Sequence, residues 1–235
     1  MTHNYVDWKG WQGVDFGSFK HEEDLYYKLE LEKSGVVSLH GLRIGELGYG
    51  NGSFAGWCNK QGGKWVGREL SSELQQRAML AGYKIAASHE NFSDVDGKET
   101  FDLIVAFDVI EHLNCDDIRK FLAECKEALK LNGILIFRIP SGDSPFSGAI
   151  YHGDLTHRTF LGSSAARQIA EEVGFDVMQI RSPALPVRGL SFIRSARRLI
   201  VLLLQNITYS FIRHFLMGHE SAVISPNMIV VLKKV

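Results

Sequence analysis

"GELGYGNGSF", residues 45–54, follows the apolar run "LRI" at 42–44 and sets Gly48, Gly50 and Gly52 at alternate positions, with the carboxylate of Glu46 two places ahead of the first. Glycines that leave a strand and enter a helix let a ligand reach the main chain, because no Cβ stands in the way and positive φ is open to them. A tight turn that needs glycine for its dihedrals is the plainer reading, but three alternating glycines at the carboxyl end of a strand favour a small-molecule site. "GNGSFA" at 50–55 also satisfies the dinucleotide fingerprint G-x-G-x-x-G/A, with Glu69 near the position of the ribose acid, so the glycines alone leave a nicotinamide-dependent oxidoreductase open. Glu46 argues against it, since a pyrophosphate would bring negative charge toward that carboxylate, whereas a ligand carrying an ammonium and a sulfonium is drawn to it.

Outward from this loop, β-type runs and helical patterns take turns. "LRIGEL", "KWVGREL", "YKIAA", "FDLIVAFDV", "GILIFRIP", "FDVMQIRS" and "NMIVVLKKV" read as strands. Helices are expected near 52–61, from Ser71 or Ser72 to 81, near 115–130 up to "LNG", and near 163–173 up to Gly174. Apolar runs separated by helices predict an α/β fold, a Rossmann-like, seven-stranded, mostly parallel sheet with helices on both faces. Residues 1–40 read as an aromatic and helical cap that includes "HEEDLYYKLELEKSG", residues 41–182 and 226–235 as the core, and 183–225 as a basic amphipathic helical insert, all in one domain spanning 1–235. At 235 residues such a domain buries a substantial core.

A net charge of −1 with 23% charged residues points to no nucleic-acid partner and to no disordered class. Cys58, Cys115 and Cys125 form no CxxC pair and are read as free thiols of a reducing compartment. The start "MTHNYVDWKG" carries no signal-peptide pattern, and no apolar run is read as long enough to span a membrane, so the expected place is the cytoplasm, with peripheral contact at the inner face of the membrane left open.

The order of these motifs resembles the class I S-adenosylmethionine-dependent methyltransferases from about residue 40 onward. "GELGYGNG" is similar to their first motif, an acid two residues ahead of G-x-G-x-G. "VGREL" resembles the second-strand motif, which implies that Glu69 holds the ribose hydroxyls and Leu70 flanks the adenine. "SHENF" falls where the family often has an Asp contacting the adenine amino group; here Glu90 or Asn91 takes that place. "FDLIVAFDVIEHL" is similar to the fourth strand and its turn, which implies that Asp108 lies near the methionine moiety, with His112 beside it at the helix entrance. "LKLNGILIFRIPS" resembles the fifth strand. The implied cofactor is S-adenosyl-L-methionine.

In-line methyl transfer to a hydroxyl needs the acceptor held behind the methyl group and its proton removed, and histidine is the usual base near neutral pH. "YHGDLTHRTF", residues 151–160, offers His157 first and His152 second, with Asp154 between them. Helix capping and loop bonding compete for Asp154 and His157. His152, Asp154 and His157 are not read as a metal site, since two histidines five apart in a loop are a weak ligand set. The "D-x-T-H" loop, "YVDWKGW" and "SPNMIVVLKK" resemble methyltransferases of bacterial surface-polysaccharide and O-antigen pathways, which implies a sugar hydroxyl or a glycan-end phosphate as acceptor. A quinone-type ring or another small metabolite, and a donor-binding regulatory protein without catalysis, remain the alternatives.

Between Arg181 and His219 there is no acid, while arginines stand at 188, 194, 197, 198 and 213. Read as a helix, Ser191, Arg194, Ser195, Arg198 and Gln205 form a polar stripe and "LIVLLL" leaves the other faces apolar. Such a helix packs on the domain or on a second subunit with its arginines solvated, or it meets a membrane through 188–217 that carries a phosphorylated or lipid-linked acceptor. Tyr5, Trp8 and Trp11 either stack on adenine or a sugar or anchor the leading segment to the core.

Overall fold

The computed structural model describes residues 9–11, 13–218 and 221–235; Tyr5 and Trp8 lie outside the described residues. Among these, seven strands form one sheet: β1 (Arg43–Leu47), β2 (Lys64–Arg68), β3 (Ile85–Ala86), β4 (Phe101–Phe107), β5 (Leu129–Pro140), β6 (Phe175–Arg181) and β7 (Asn227–Lys234). Their order is β3-β2-β1-β4-β5-β7-β6, with β7 antiparallel to both neighbours. The helices are α1 (His21–Lys33), α2 (Ser53–Lys60), α3 (Ser72–Leu80), α4 (Phe92–Asp96), α5 (Cys115–Ala128), α6 (Gly148–Tyr151), α7 (Ser163–Val173) and α8 (Phe192–Phe211). This is the expected Rossmann-like fold.

Two-sided burial explains the unbroken apolar runs. On β4, Leu103, Val105 and Phe107 pack with α1, α2 and α3, while Ile104 and Ala106 face α5 and α7. Leu31, Phe54 and Leu74 fill the first layer and Ile118, Leu122 and Ile169 the second. The expected helix end near 130 falls earlier, at Ala128, because Leu129 already pairs with Phe101. The "LNG" stretch then bulges out before Ile134 pairs with Leu103, with Asn132 at φ 65°. All three cysteines are unpaired.

The segment before α1 is pinned to the glycine loop by backbone contact. Gly17 donates its N–H to the Asn51 carbonyl at 3.0 Å. A Cβ at Gly56 on α2 would lie 1.8 Å from the Gly17 carbonyl oxygen, so only glycine lets the segment dock. Gly56→Val is therefore expected to lower stability by about 1–3 kcal/mol or more, read as a lower urea midpoint; an unchanged midpoint would show that the segment does not pack there.

One expectation is overturned. The insert does hold a helix long and apolar enough, by length and composition, to cross a membrane: α8 runs into a π-helical turn (Ile212–Met217) to make 26 residues. The clustered arginines at 194, 197 and 198 mask this on a linear reading, because they sit in its first turns and leave the rest apolar.

Candidate active site

A cavity of about 1060 Å3 opens at the carboxyl ends of β1, β2 and β4, where strand-to-helix turns converge. Glu46, Gly48, Gly50, Glu69, Leu70, Asn91, Asp108 and His112 line it; Gly52, Glu90, His152, Asp154 and His157 do not. Gly48, Gly50 and Gly52 all have positive φ, 66°, 54° and 75°. The room their missing Cβ atoms leave is largely taken by the chain itself. A Cβ on Gly48 would meet Val109, one on Gly50 the Trp11 ring at 2.7 Å, and one on Gly52 the Phe16 ring at 2.4 Å. The expectation that the glycines mainly clear the way for a ligand is corrected: they also seat the cap, and Trp11 joins the cavity wall.

Glu46 is buried on β1, and Trp65 Nε1 donates to its Oε2 at 2.8 Å. Burial pushes its carboxyl up to about 8, against the Trp65 hydrogen bond and with the charge of Glu69 adding to the rise. Two acids at the floor of one cavity favour a cationic ligand, which would restore the carboxylate. Nearby, the Tyr49 hydroxyl and Asn51 Oδ1 are buried with no hydrogen-bond partner. Such groups fit S-adenosylmethionine, which carries cationic and polar ends.

Glu69 is tied to the main chain: its Oε1 accepts from Leu70 N at 2.7 Å and Ser71 N at 3.2 Å, and its Oε2 from Gly50 N at 3.2 Å. Leu70 is 80% exposed at the rim. Glu90 turns away, its carboxylate accepting from Ala87 N at 2.9 Å, whereas Asn91 Oδ1 accepts from Arg68 Nη1 at 3.1 Å on the cavity side. Asp108 ends β4 in the left-handed region at φ 58°, rare for a residue with a side chain. Arg138 of β5 grips its carboxylate with two donors, Nε at 2.8 Å among them, and also donates to the Tyr26 hydroxyl at 3.1 Å. Arg138 and Tyr26, both cavity residues, were given no role by the sequence, although Arg138 lies in the fifth-strand stretch; their partners lie 30 and 112 residues away.

On the far wall, the turn Ile110–His112 meets the 151–160 loop, since Arg158 N and Thr159 N both donate to the Glu111 carbonyl, at 2.7 and 3.1 Å. Asp154 Oδ1 accepts from the Thr156 hydroxyl at 2.6 Å, and Thr156 Oγ1 sits 2.9 Å from His112 Nδ1. Against the opposing pull of partial burial, the Thr156 hydrogen bonds hold the Asp154 carboxyl below its ordinary range, so it accepts. Thr156 has one proton to give; His112 Nδ1 must therefore be the donor to Thr156, which leaves His112 Nε2 with its lone pair. Burial and then the neighbouring His157 lower the His112 pKa from its ordinary value, keeping the ring neutral at pH 7.

His157 stands behind this wall, its side chain 8% exposed and its ring centroid 4.8 Å from that of His112. Its Nδ1 donates to the Tyr151 carbonyl at 2.8 Å and its Nε2 lies 4.0 Å from Glu111 Oε1. His152 is exposed at the end of α6, away from the cavity. Buried Glu111, pushed up to about 8 by desolvation first and the Asp108 charge second, leaves Oε2 without a partner. No metal ligand set was read from the sequence, but Glu111, His112 and His157 bring one donor atom each within 4.8 Å of the others and could together hold a divalent cation.

Known proteins place this geometry. The family model for a methyltransferase domain matches residues 28–180. The ubiquinone biosynthesis O-methyltransferase of Rhodopseudomonas palustris (strain TIE-1) is 29% identical over 113 residues, 46% of this chain and 44% of that protein, so the match spans less than half of either. Among solved structures, a SAM-dependent methyltransferase from Archaeoglobus fulgidus superposes with a TM-score of 0.62 at 17% identity, over 90% of this chain and 94% of its own. Phosphoethanolamine N-methyltransferase 2 of Haemonchus contortus, solved with S-adenosyl-L-methionine, gives 0.58 at 15% identity over 94% of this chain and 54% of its own. With its matched domain, its sheet order and its acid-floored cavity at the strand ends, the chain belongs to the methyltransferase-domain family and has the fold of the S-adenosylmethionine-dependent methyltransferases.

Proposed function

We propose that this chain methylates a hydroxyl group on a small aromatic acceptor, with S-adenosylmethionine as donor. The observation that carries the reading is His112 on the cavity wall, neutral, with Nδ1 committed to Thr156 and Nε2 free to take a proton. When bound, the donor supplies a methyl group on a sulfonium: the acceptor oxygen forms the new C–O bond as the C–S bond breaks, and sulfur keeps the electron pair.

The residues divide the work. Glu46 attracts the cationic end of the donor, and the main chain at Gly48 and Gly50 lies open beside it. Glu69 takes the ribose hydroxyls by exchanging its hydrogen bonds to Leu70 and Ser71, while Leu70 and Asn91 flank the base. Asp108, held by Arg138, shapes the methionine side. His112 Nε2 accepts the acceptor's proton, and Asp154 steadies the resulting imidazolium through Thr156. Here His112 takes the role the sequence reading gave first to His157, which becomes its neighbour behind the wall.

The acceptor class rests on the walls. Phe19, Tyr26, Tyr27 and Phe107 line the cavity and give it an aromatic wall that suits an apolar ring. The name of the curated relatives, ubiquinone biosynthesis O-methyltransferase, supports transfer to an oxygen of a quinone-type small molecule. A sugar hydroxyl, the acceptor implied by the surface-polysaccharide resemblance, would satisfy His112 but bury less apolar surface against this wall. Labelled methyl transfer into a panel of catechols, phenols, free glycans and lipid-linked sugars tests the reading. Label is expected in a phenolic hydroxyl; label in sugars alone would overturn the acceptor class, and tight NAD binding with no donor binding would overturn the whole reading.

A further inference from the structure

The helix formed by α8 and its π turn is mounted with its polar side inward. Ser195, Arg198, Leu202, Gln205, Tyr209 and Ile212, spaced three and four apart, form the buried or half-buried stripe toward the protein. The polar members bind it there: Ser195 Oγ donates to the Val187 carbonyl and Arg198 Nη1 to the Pro186 carbonyl, both at 2.7 Å, and Arg194 and Arg198 pair with Glu22 of α1. The opposite side is apolar and bare: Phe192 is 86% exposed, Ile193 79%, Leu203 61% and Ile207 60%. A surface helix of a soluble domain shows the reverse arrangement, so this side is built for a second apolar phase.

We propose that this face docks in the plane of an anionic lipid bilayer. Charge decides between lipid and a second copy of the chain. No acid lies between Arg181 and Glu220, and Arg188 and Arg197 are exposed at the edge of the face. With Glu22 already committed to Arg194 and Arg198, a symmetric pair of such faces would bring Arg188 and Arg197 no carboxylate from either 182–218 segment, whereas lipid phosphates provide the complement.

Topology decides between lying on the bilayer and crossing it. The helix leaves from β6 and returns to β7, its neighbour in the sheet. Near its end Ile212 packs against Ala222 and Ile224, and just after it Asp143 Oδ2 accepts from Val223 N at 3.0 Å. A helix of 26 residues is about 39 Å long, and with both ends bound to one domain it cannot carry its far end through the membrane. On the inward side, the Tyr209 ring lies 6.4 Å from that of Phe146, which ties the helix to the segment before α6.

Vesicle flotation of the whole chain tests this, with phosphatidylcholine alone and with a third phosphatidylglycerol. Wild type is expected to float with the anionic vesicles about tenfold more tightly than with neutral ones, and to be released by high salt. Leu203→Asp with Ile207→Asp should abolish flotation while circular dichroism and donor binding stay unchanged, since both side chains are exposed. No flotation on anionic vesicles overturns the proposal. So does equal flotation on both vesicles, or a dimer seen by light scattering that the double substitution dissociates.

Discussion

His112→Ala is expected to lower turnover by about 10²–10⁴-fold, the usual worth of a positioned general base, with donor affinity intact. The size follows from the absence of a substitute at that wall. His157 reaches only Tyr151, Glu111 and the back of the His112 ring, and His152 faces solvent. Thr156→Val should cost less, because it leaves the imidazole in place but removes the partner that fixes its tautomer. Single-turnover assays beside equilibrium donor binding separate these effects. A His112→Ala enzyme with wild-type turnover would remove the base from the proposal and leave the donor half standing.

The second large effect concerns Glu46 and pH. Its carboxyl titrates near 8 in the folded chain, so at pH 7 it is mostly protonated, and a cationic donor must drive the proton off. Donor affinity should therefore rise with pH, by up to about tenfold per unit below 8, and calorimetry in buffers of different ionisation heat should show one proton released. Glu46→Gln should bind the donor about 10- to 100-fold more weakly near pH 8, the worth of a charge-assisted contact, with no pH slope from this site.

Stability carries the same signature with the opposite sign. The folded pKa is raised above the unfolded one, so the native state holds the proton more tightly, and the apo-protein should lose stability as pH rises from 4.5 toward 8. In Glu46→Gln the share due to Glu111 should remain, offset in part by His112, whose lowered pKa makes stability rise with pH through the same window. A donor affinity flat between about pH 6 and 8 would contradict burial of Glu46 as an acid.

Much of the donor side was legible because its signals are local. Glu46 and the glycines sit within eight residues of one another, Glu69 ends the next strand, and each β-run declares itself by its own composition. The proposed base was harder to read. His112 and Thr156 are 44 residues apart, and what distinguishes His112 from His157 is which ring reaches the cavity. Arg138 looked like one charge in an apolar run until the sheet set it against Asp108. The insert was legible in its stripe but not in its setting: Ser195, Arg198 and Gln205 turn toward the protein, where Arg198 meets Glu22, 176 residues away, while Arg194 and Arg197 stay exposed.

By itself, the order of residues determined the alternation of strand and helix, the two-sided burial of the sheet and an acid beside a bare loop, since each depends on neighbours a few positions away. Only the tertiary structure decided that Trp11 and Phe16 occupy the space beside the glycines, that His112 rather than His157 faces the cavity, and that α8 turns Ser195 and Arg198 toward the protein and leaves an apolar face bare. Those outcomes depend on contacts between distant segments, whose geometry a linear pattern does not encode.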